Sequence, residues 1–174
     1  MRRRWMLGSP RVFLAHGGAC REKKAPITQS LILNRVKRYA EQKGIIVCME
    51  ITNSKVAADQ RTDQVFDHVA WGLDVCKRVS SPRVKILFDF YHAQIADGDV
   101  TRTLRDNIGH ICHIHVAGVP GRLEIDDKQE LNYRFIANAI ADLEYTGFVA
   151  HEWSPGMGND PVTSLERCFE ILNL

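Results

Sequence analysis

The chain has no stretch approaching the ~20 uninterrupted apolar residues that a membrane-spanning helix needs, so no membrane association is expected. Charge of one sign is also missing. There are 23 Lys and Arg against 21 Asp and Glu, a formal net charge of +2, with no long basic run. A nucleic-acid partner is therefore not indicated. The five cysteines, Cys20, Cys48, Cys76, Cys112 and Cys168, are odd in number, widely spaced and include no C-x-x-C pair. That pattern predicts reduced, buried thiols and a cytoplasmic location, and excludes a thiolate zinc knuckle or a disulfide scaffold. The cationic start MRRRWM is followed by Gly8, Ser9, Pro10 and Arg11, which interrupt the apolar run that a secretory signal requires.

What is present is a repeating unit of apolar strand and helix, in a chain of 174 residues that suits one domain with a substantial core. Arg11 to His16 reads as a short buried strand, followed by a Gly17-Gly18 turn. From about Thr28 to Lys43, Ile32, Val36, Tyr39 and Ala40 stand at helical spacing, and Gly44 ends the run. Ile45 to Ile51 is nearly continuous in apolar residues, with Glu50 near its end, as in a strand covered on both faces. Val65, Val69, Leu73, Cys76 and Val79 mark the next helix, and Val84 to Phe90 repeats the strand with Asp89 at its end. A shorter helix from about Asp99 to Asn107 leads to a strand from His110 to Val116. Phe135, Ile136, Ala139, Ile140 and Leu143 line another helix, and Phe148 to Trp153 forms a strand that carries Glu152. A last helix begins near Pro161 and carries Val162, Leu165, Cys168, Phe169 and Leu172. Five such units in succession predict parallel strands joined by right-handed crossovers.

A polar residue falls at the C-terminal end of each of the last four strands. Glu50, Asp89, His115 and Glu152 are separated by 39, 26 and 37 residues, each about one strand-helix unit. Parallel strands bring such ends to one edge of the sheet, where β/α barrels hold their active sites. Three carboxylates gathered alone would repel one another and raise their own pKa values, and a divalent cation removes that repulsion. The oxygen-rich donor set suits Mg²⁺ or Mn²⁺. Any one of these residues reads more simply as a solvated strand end or a satisfied core histidine, but four in register reverse that weighing. His113 and His115 share a strand face, with Cys112 and Ile114 on the other. The turn at Gly118, Pro120 and Gly121 puts Arg122 just beyond the strand, where a guanidinium suits a carboxylate or phosphate. His92, three residues past Asp89, faces either the same cavity or water. His151 alternates away from Glu152, towards the helices.

The runs MEITNSK, LFDFYHAQIADGD, HIHVAGVPGRLEIDDKQELNY and GFVAHEW resemble the hydroxypyruvate isomerase family of xylose-isomerase-like (β/α)₈ barrels. The likeness runs from about Arg11 to Leu174, and GVPGRLEID followed by QELNY is its most discriminating part. It implies a parallel β/α barrel of the TIM type, N-terminally truncated to about five β-α units, with residues 1–174 forming a single partial domain. It also implies a divalent metal, Mg or Mn, held by Glu50, Asp89, His115 and Glu152. Glu50 and Glu152 would exchange protons with the substrate, and His92 and Arg122 would bind its oxygens. The implied reaction is the isomerisation of hydroxypyruvate and tartronate semialdehyde, or a related short 2-hydroxy carbonyl acid, through an enediolate. Arg122 suits the carboxylate of such a substrate better than a neutral ketohexose.

Two alternatives stand beside this one: a sugar or sugar-acid epimerase on the same scaffold, and a non-catalytic fragment that keeps the ligands without a working pocket. Phosphodiester hydrolysis, which favours more histidines and a basic surface, fits less well. The edges and apolar face of five open strands predict association, including a homo-oligomer.

Overall fold

Each strand pairs with the strand that follows it in the chain, and every pairing is parallel. The computed structural model describes residues 12–15, 25–56 and 66–173. Their elements are β1 (Val12–Ala15), α1 (Ala25–Lys43), β2 (Ile46–Glu50), α2 (Val69–Val79), β3 (Val84–Asp89), α3 (Phe90–Ala96), α4 (Val100–Asn107), β4 (Ile111–Val116), α5 (Tyr133–Asp142), β5 (Phe148–His151) and α6 (Pro161–Leu172). Among the described residues the sheet has five strands in the order β1-β2-β3-β4-β5. His16, the Gly17-Gly18 turn, Cys20 and Val65 lie outside the described residues.

Alternation along the strands divides the sheet into two faces. Val47, Met49 and Ile51, then Val84, Ile86 and Phe88, then Ile111, Ile114 and Val116 form the core beneath the helices. Each such side chain taken from water contributes roughly 1.5–3 kcal/mol. The opposite face carries Cys48, Glu50, Leu87 and Asp89, all less than a tenth exposed. Gly72 brings α2 against the sheet, since a Cβ there would lie 2.8 Å from Ile51 Cδ1 and 3.0 Å from Ile86 Cδ1.

A bulge in β4 corrects the expected alternation. The pairing passes from Ile86 with Ile111 directly to Leu87 with His113, so Cys112 is an extra residue on its strand. Ile111 and Ile114 both remain in the core as a result. Cys112 therefore joins His113 on the opposite face instead of pointing away from it. From there it reaches across β3 to Cys48, with which it forms a disulfide. The expectation of reduced thiols fails for this pair, while Cys76 and Cys168 are free and buried.

The helices depart from expectation at Phe135 of α5, which was expected inward and is 52% exposed, and in three further places. First, α1 starts at Ala25 and buries Ser30, Leu33 and Ala40, leaving Ile32, Val36 and Tyr39 44–61% exposed. Second, Val162, Leu165 and Phe169 of α6 are exposed, and Ser164 and Cys168 are its buried residues. Third, α3 was not expected. It begins directly after β3 because Asp89 caps it, its carboxylate accepting from the Tyr91 N–H at 2.8 Å. No helix of the described residues is long and apolar enough to cross a membrane.

Candidate metal and substrate site

The parallel register carries four potential ligands to one edge of the sheet. Glu50 and Asp89 end β2 and β3, His115 pairs with Asp89 across β3 and β4, and Glu152 directly follows β5. One ligand atom from each lies within 4.8 Å of the other three. His115 Nδ1 stands 2.5 Å from Glu152 Oε2 and 3.9 Å from Glu50 Oε1. Arg122 Nη2 donates to Asp89 Oδ2 at 3.0 Å and to Glu152 Oε2 at 2.8 Å. The guanidinium also lies over the Tyr91 ring, 5.2 Å from its centroid.

These neighbours set the charge states. Burial pushes the Asp89 carboxyl up to about 7; Arg122 and His115 oppose the rise, and Glu152 and Glu50 add to it. Burial would also raise Glu152, but the hydrogen bonds and charges of His115 and Arg122 hold it at about 2. Burial alone would lower the His115 pKa, yet its hydrogen bond to Glu152 and the surrounding carboxylates raise it. Three carboxylates and one imidazole around a common point fit a hard divalent cation, which would complete the neutralisation that Arg122 begins.

His92 is buried, with Nε2 3.8 Å from Asp89 Oδ2. Its other nitrogen, Nδ1, lies 3.1 Å from the Asn53 backbone nitrogen, whose N–H donates to it. Nδ1 is therefore the acceptor, so neutral His92 carries its proton on Nε2, on the side of the carboxylates. Asn53 is itself buried, and its Oδ1 accepts from the Lys55 and Val56 N–H groups.

The loop that presents Arg122 is built by its own sequence. Gly118 N donates to Leu123 O at 2.8 Å, and a Cβ on Gly118 would lie 2.4 Å from the Glu124 carbonyl oxygen, so only glycine fits. The Val119-Pro120 peptide is cis, and Gly121 and Arg122 both have positive φ, 93° and 55°. The loop's return is fastened by the QELNY run. Gln129 Oε1 accepts from Leu131 N, Asn132 caps α5, and the Tyr133 hydroxyl donates to Ala117 O at 2.7 Å.

His113 sits beside His115, ring centroids 4.9 Å apart, and burial and the neighbouring imidazole lower its pKa. His151 lies on the helical side, 5.1 Å from the Phe169 ring, and accepts from Trp153 Nε1. Asn53 and Glu124 were not singled out in the sequence. Both lie inside the runs that carry the resemblance, MEITNSK and GVPGRLEID, and Glu124 stands between two apolar residues in LEI.

A parallel β/α sheet with an acidic, histidine-containing cluster at the strand ends defines a barrel-type fold with a candidate metal centre. The chain belongs to the xylose isomerase-like TIM barrel family, whose profile matches residues 7–168. It is 34% identical over 122 residues to a 2-oxo-tetronate isomerase of Pectobacterium atrosepticum, covering 68% of this chain and 45% of that protein. It is 32% identical over 168 residues to a 2-oxo-tetronate isomerase of Haemophilus influenzae, covering 92% of this chain and 60% of the relative. A Homo sapiens protein named provisionally as a hydroxypyruvate isomerase is 28% identical over 156 residues, covering 86% of this chain and 55% of its own length. A crystal structure titled AP endonuclease, family 2, from Brucella melitensis superposes with a TM-score of 0.82 at 28% identity, covering 92% of this chain and 60% of the other. The chain thus spans about half the length of the curated relatives it matches.

Proposed function

We propose that this chain carries the metal-binding half of an isomerase for short 2-hydroxy carbonyl acids, with hydroxypyruvate and tartronate semialdehyde as substrates. The observation that carries the reading is the convergence of Glu50, Asp89, His115 and Glu152 on one point, with the Arg122 guanidinium hydrogen-bonded to two of them, Asp89 and Glu152. The relatives named 2-oxo-tetronate isomerase support a four-carbon acid of the same type as a further substrate. A divalent cation bound by the four ligands, Mg²⁺ or Mn²⁺, would supply Lewis acidity at the substrate's carbonyl and hydroxyl oxygens. Arg122 holds the substrate carboxylate, for which its planar fork of donors is suited. His92 donates from Nε2 to a substrate oxygen. One of Glu50 and Glu152 takes the proton from the carbon that bears the hydroxyl, and the other returns a proton to the neighbouring carbon.

The test is to incubate the purified chain with hydroxypyruvate and Mn²⁺, alone and with an N-terminal half-barrel supplied from a relative, and to follow tartronate semialdehyde by NMR. Interconversion that disappears in Glu50→Gln and Glu152→Gln supports the reading. No interconversion in either preparation, with Mn²⁺ bound, would overturn it.

A further inference from the structure

We infer that Glu124 is a positioning residue, whose carboxylate ties the loop after β5 to the loop after β4 and so fixes Glu152 and Arg122 relative to each other. The inference rests on the metal-site reading above and extends it to a residue outside the ligand set.

The two loops are joined at alternate residues. The Arg122 Nε–H donates to the Glu152 carbonyl at 3.3 Å, and the Ser154 N–H donates to the Arg122 carbonyl at 3.0 Å. The Gly156 N–H then donates to Glu124, 2.9 Å from Oε2 and 3.0 Å from Oε1. Residues 152, 154 and 156 thus each bond to the Arg122–Glu124 segment. The last of these joints is also the most fully satisfied. Glu124 Oε1 accepts from Asn159 Nδ2 at 2.9 Å and from the buried Ser164 hydroxyl at 2.8 Å. Ser164 belongs to α6, so the clamp anchors both loops to a helix.

The donors that meet at Glu124 call for a group that only accepts. A carboxylate provides this, and a buried one is tolerated only when it is hydrogen-bonded. Glu124 is 7% exposed and meets that condition. No bond joins it to Asp89, His115 or Glu152, so its effect on the site passes through the loop. Glu152 is where that effect would be felt, because its side chain is 44% exposed and has least packing of its own to fix it.

The experiment compares wild type with Glu124→Gln, which keeps one acceptor oxygen, and Glu124→Leu, which keeps none. Two readouts are taken well below the melting temperature. The first is amide hydrogen exchange at Gly156 and Ser154 without metal, and the second is Mn²⁺ affinity by calorimetry. Both amides should exchange at least about tenfold faster in the leucine variant, and Mn²⁺ affinity should fall by about 10- to 100-fold, the range for residues that orient ligands. The glutamine variant should lie between.

Loss of protection at Gly156 with Ser154 unchanged would overturn the inference, because the clamp would then not reach Arg122. Unchanged Mn²⁺ affinity in a folded leucine variant would overturn it as well. Should the leucine variant not fold, Ser164→Ala, which removes one donor, must shift both readouts in the same direction by less, and no shift counts against the inference. If wild type takes up no Mn²⁺, the metal-site reading fails, and amide exchange alone decides the role of Glu124.

Discussion

Arg122 Nη2 lies 3.0 Å from Asp89 Oδ2, so the most deeply buried carboxylate of the cluster is held against a fixed cation. Even with that neighbour, burial keeps the Asp89 carboxyl at about 7. A second cation must displace the proton that Asp89 retains below that pH, and the raised His115 must also give up its own. Mn²⁺ affinity is therefore expected to rise from pH 6 to pH 8, by up to about tenfold per pH unit for each proton released. Calorimetric titration should find one saturable site at pH 8, absent in Asp89→Ala and Glu152→Ala. An affinity independent of pH over this range would contradict the argument.

Arg122 has a second expected role, at the substrate. Arg122→Lys retains the charge but loses the planar fork and its stacking on Tyr91. A charge-assisted hydrogen bond is worth about 1.5–3 kcal/mol, so kcat/KM for a carboxylate substrate should fall by about 10- to 100-fold. Neutral ketoses tested with the same preparation should be affected much less. Equal losses in both classes would reduce Arg122 to a residue that shapes its loop.

Glu124 should be visible in acid unfolding. Burial would raise its pKa, but hydrogen bonds from Asn159, its own backbone, Gly156 and Ser164 bring it from the ordinary 4.5 down to about 2. The folded state therefore favours the ionised form. The resulting stabilisation, on the order of 2 kcal/mol, is fully present above about pH 4.5 and is lost as the pH falls towards 2. Urea unfolding from pH 6 down to pH 2.5 should show wild type more stable than Glu124→Gln at pH 6, with the gap closing in acid. A gap that stays constant with pH would mean that the charge contributes nothing.

Much of this arrangement is legible in the amino-acid sequence. Glu50, Asp89, His115 and Glu152 are legible as a strand-end cluster because strand periodicity and unit length are local properties, and parallel pairing then fixes which ends meet. The bulge at Cys112 is missed when the alternation of His113 to Val116 is carried back to Cys112, although Ile111 and Ile114, three residues apart, share a face only if one residue between them is extra. Helix faces failed in α1 and α6 for another reason. Ile32 and Val36, or Val162 and Phe169, form a stripe at helical spacing, but spacing does not say which neighbour, if any, lies over it. Asn53 and Glu124 act through bonds to residues 32 to 40 positions away, beyond the reach of any local pattern.

Those uncovered stripes bear on the last expectation, which concerns the 174-residue chain by itself. Among the described residues β5 pairs only with β4, and Glu152 immediately follows it. Its side chain is 44% exposed, against 6% for Glu50 and 0% for Asp89, so it is the ligand with least support. Catalysis by positioned carboxylates is sensitive to displacement, and an ångström of misplacement costs about 100-fold in rate. The chain alone is thus expected to turn over hydroxypyruvate at least about 100-fold more slowly than a version extended by the three N-terminal β-α units of a relative. Exposed Val162, Leu165 and Phe169 on α6, with Ile32, Val36 and Tyr39 on α1, should also make it self-associate. Light scattering and a turnover assay on both versions, each with saturating Mn²⁺, would test the two expectations together. A monodisperse monomer with turnover equal to that of the extended version would refute both, and would mean that α6 and the Glu124 clamp hold Glu152 firmly enough without a strand on its far side.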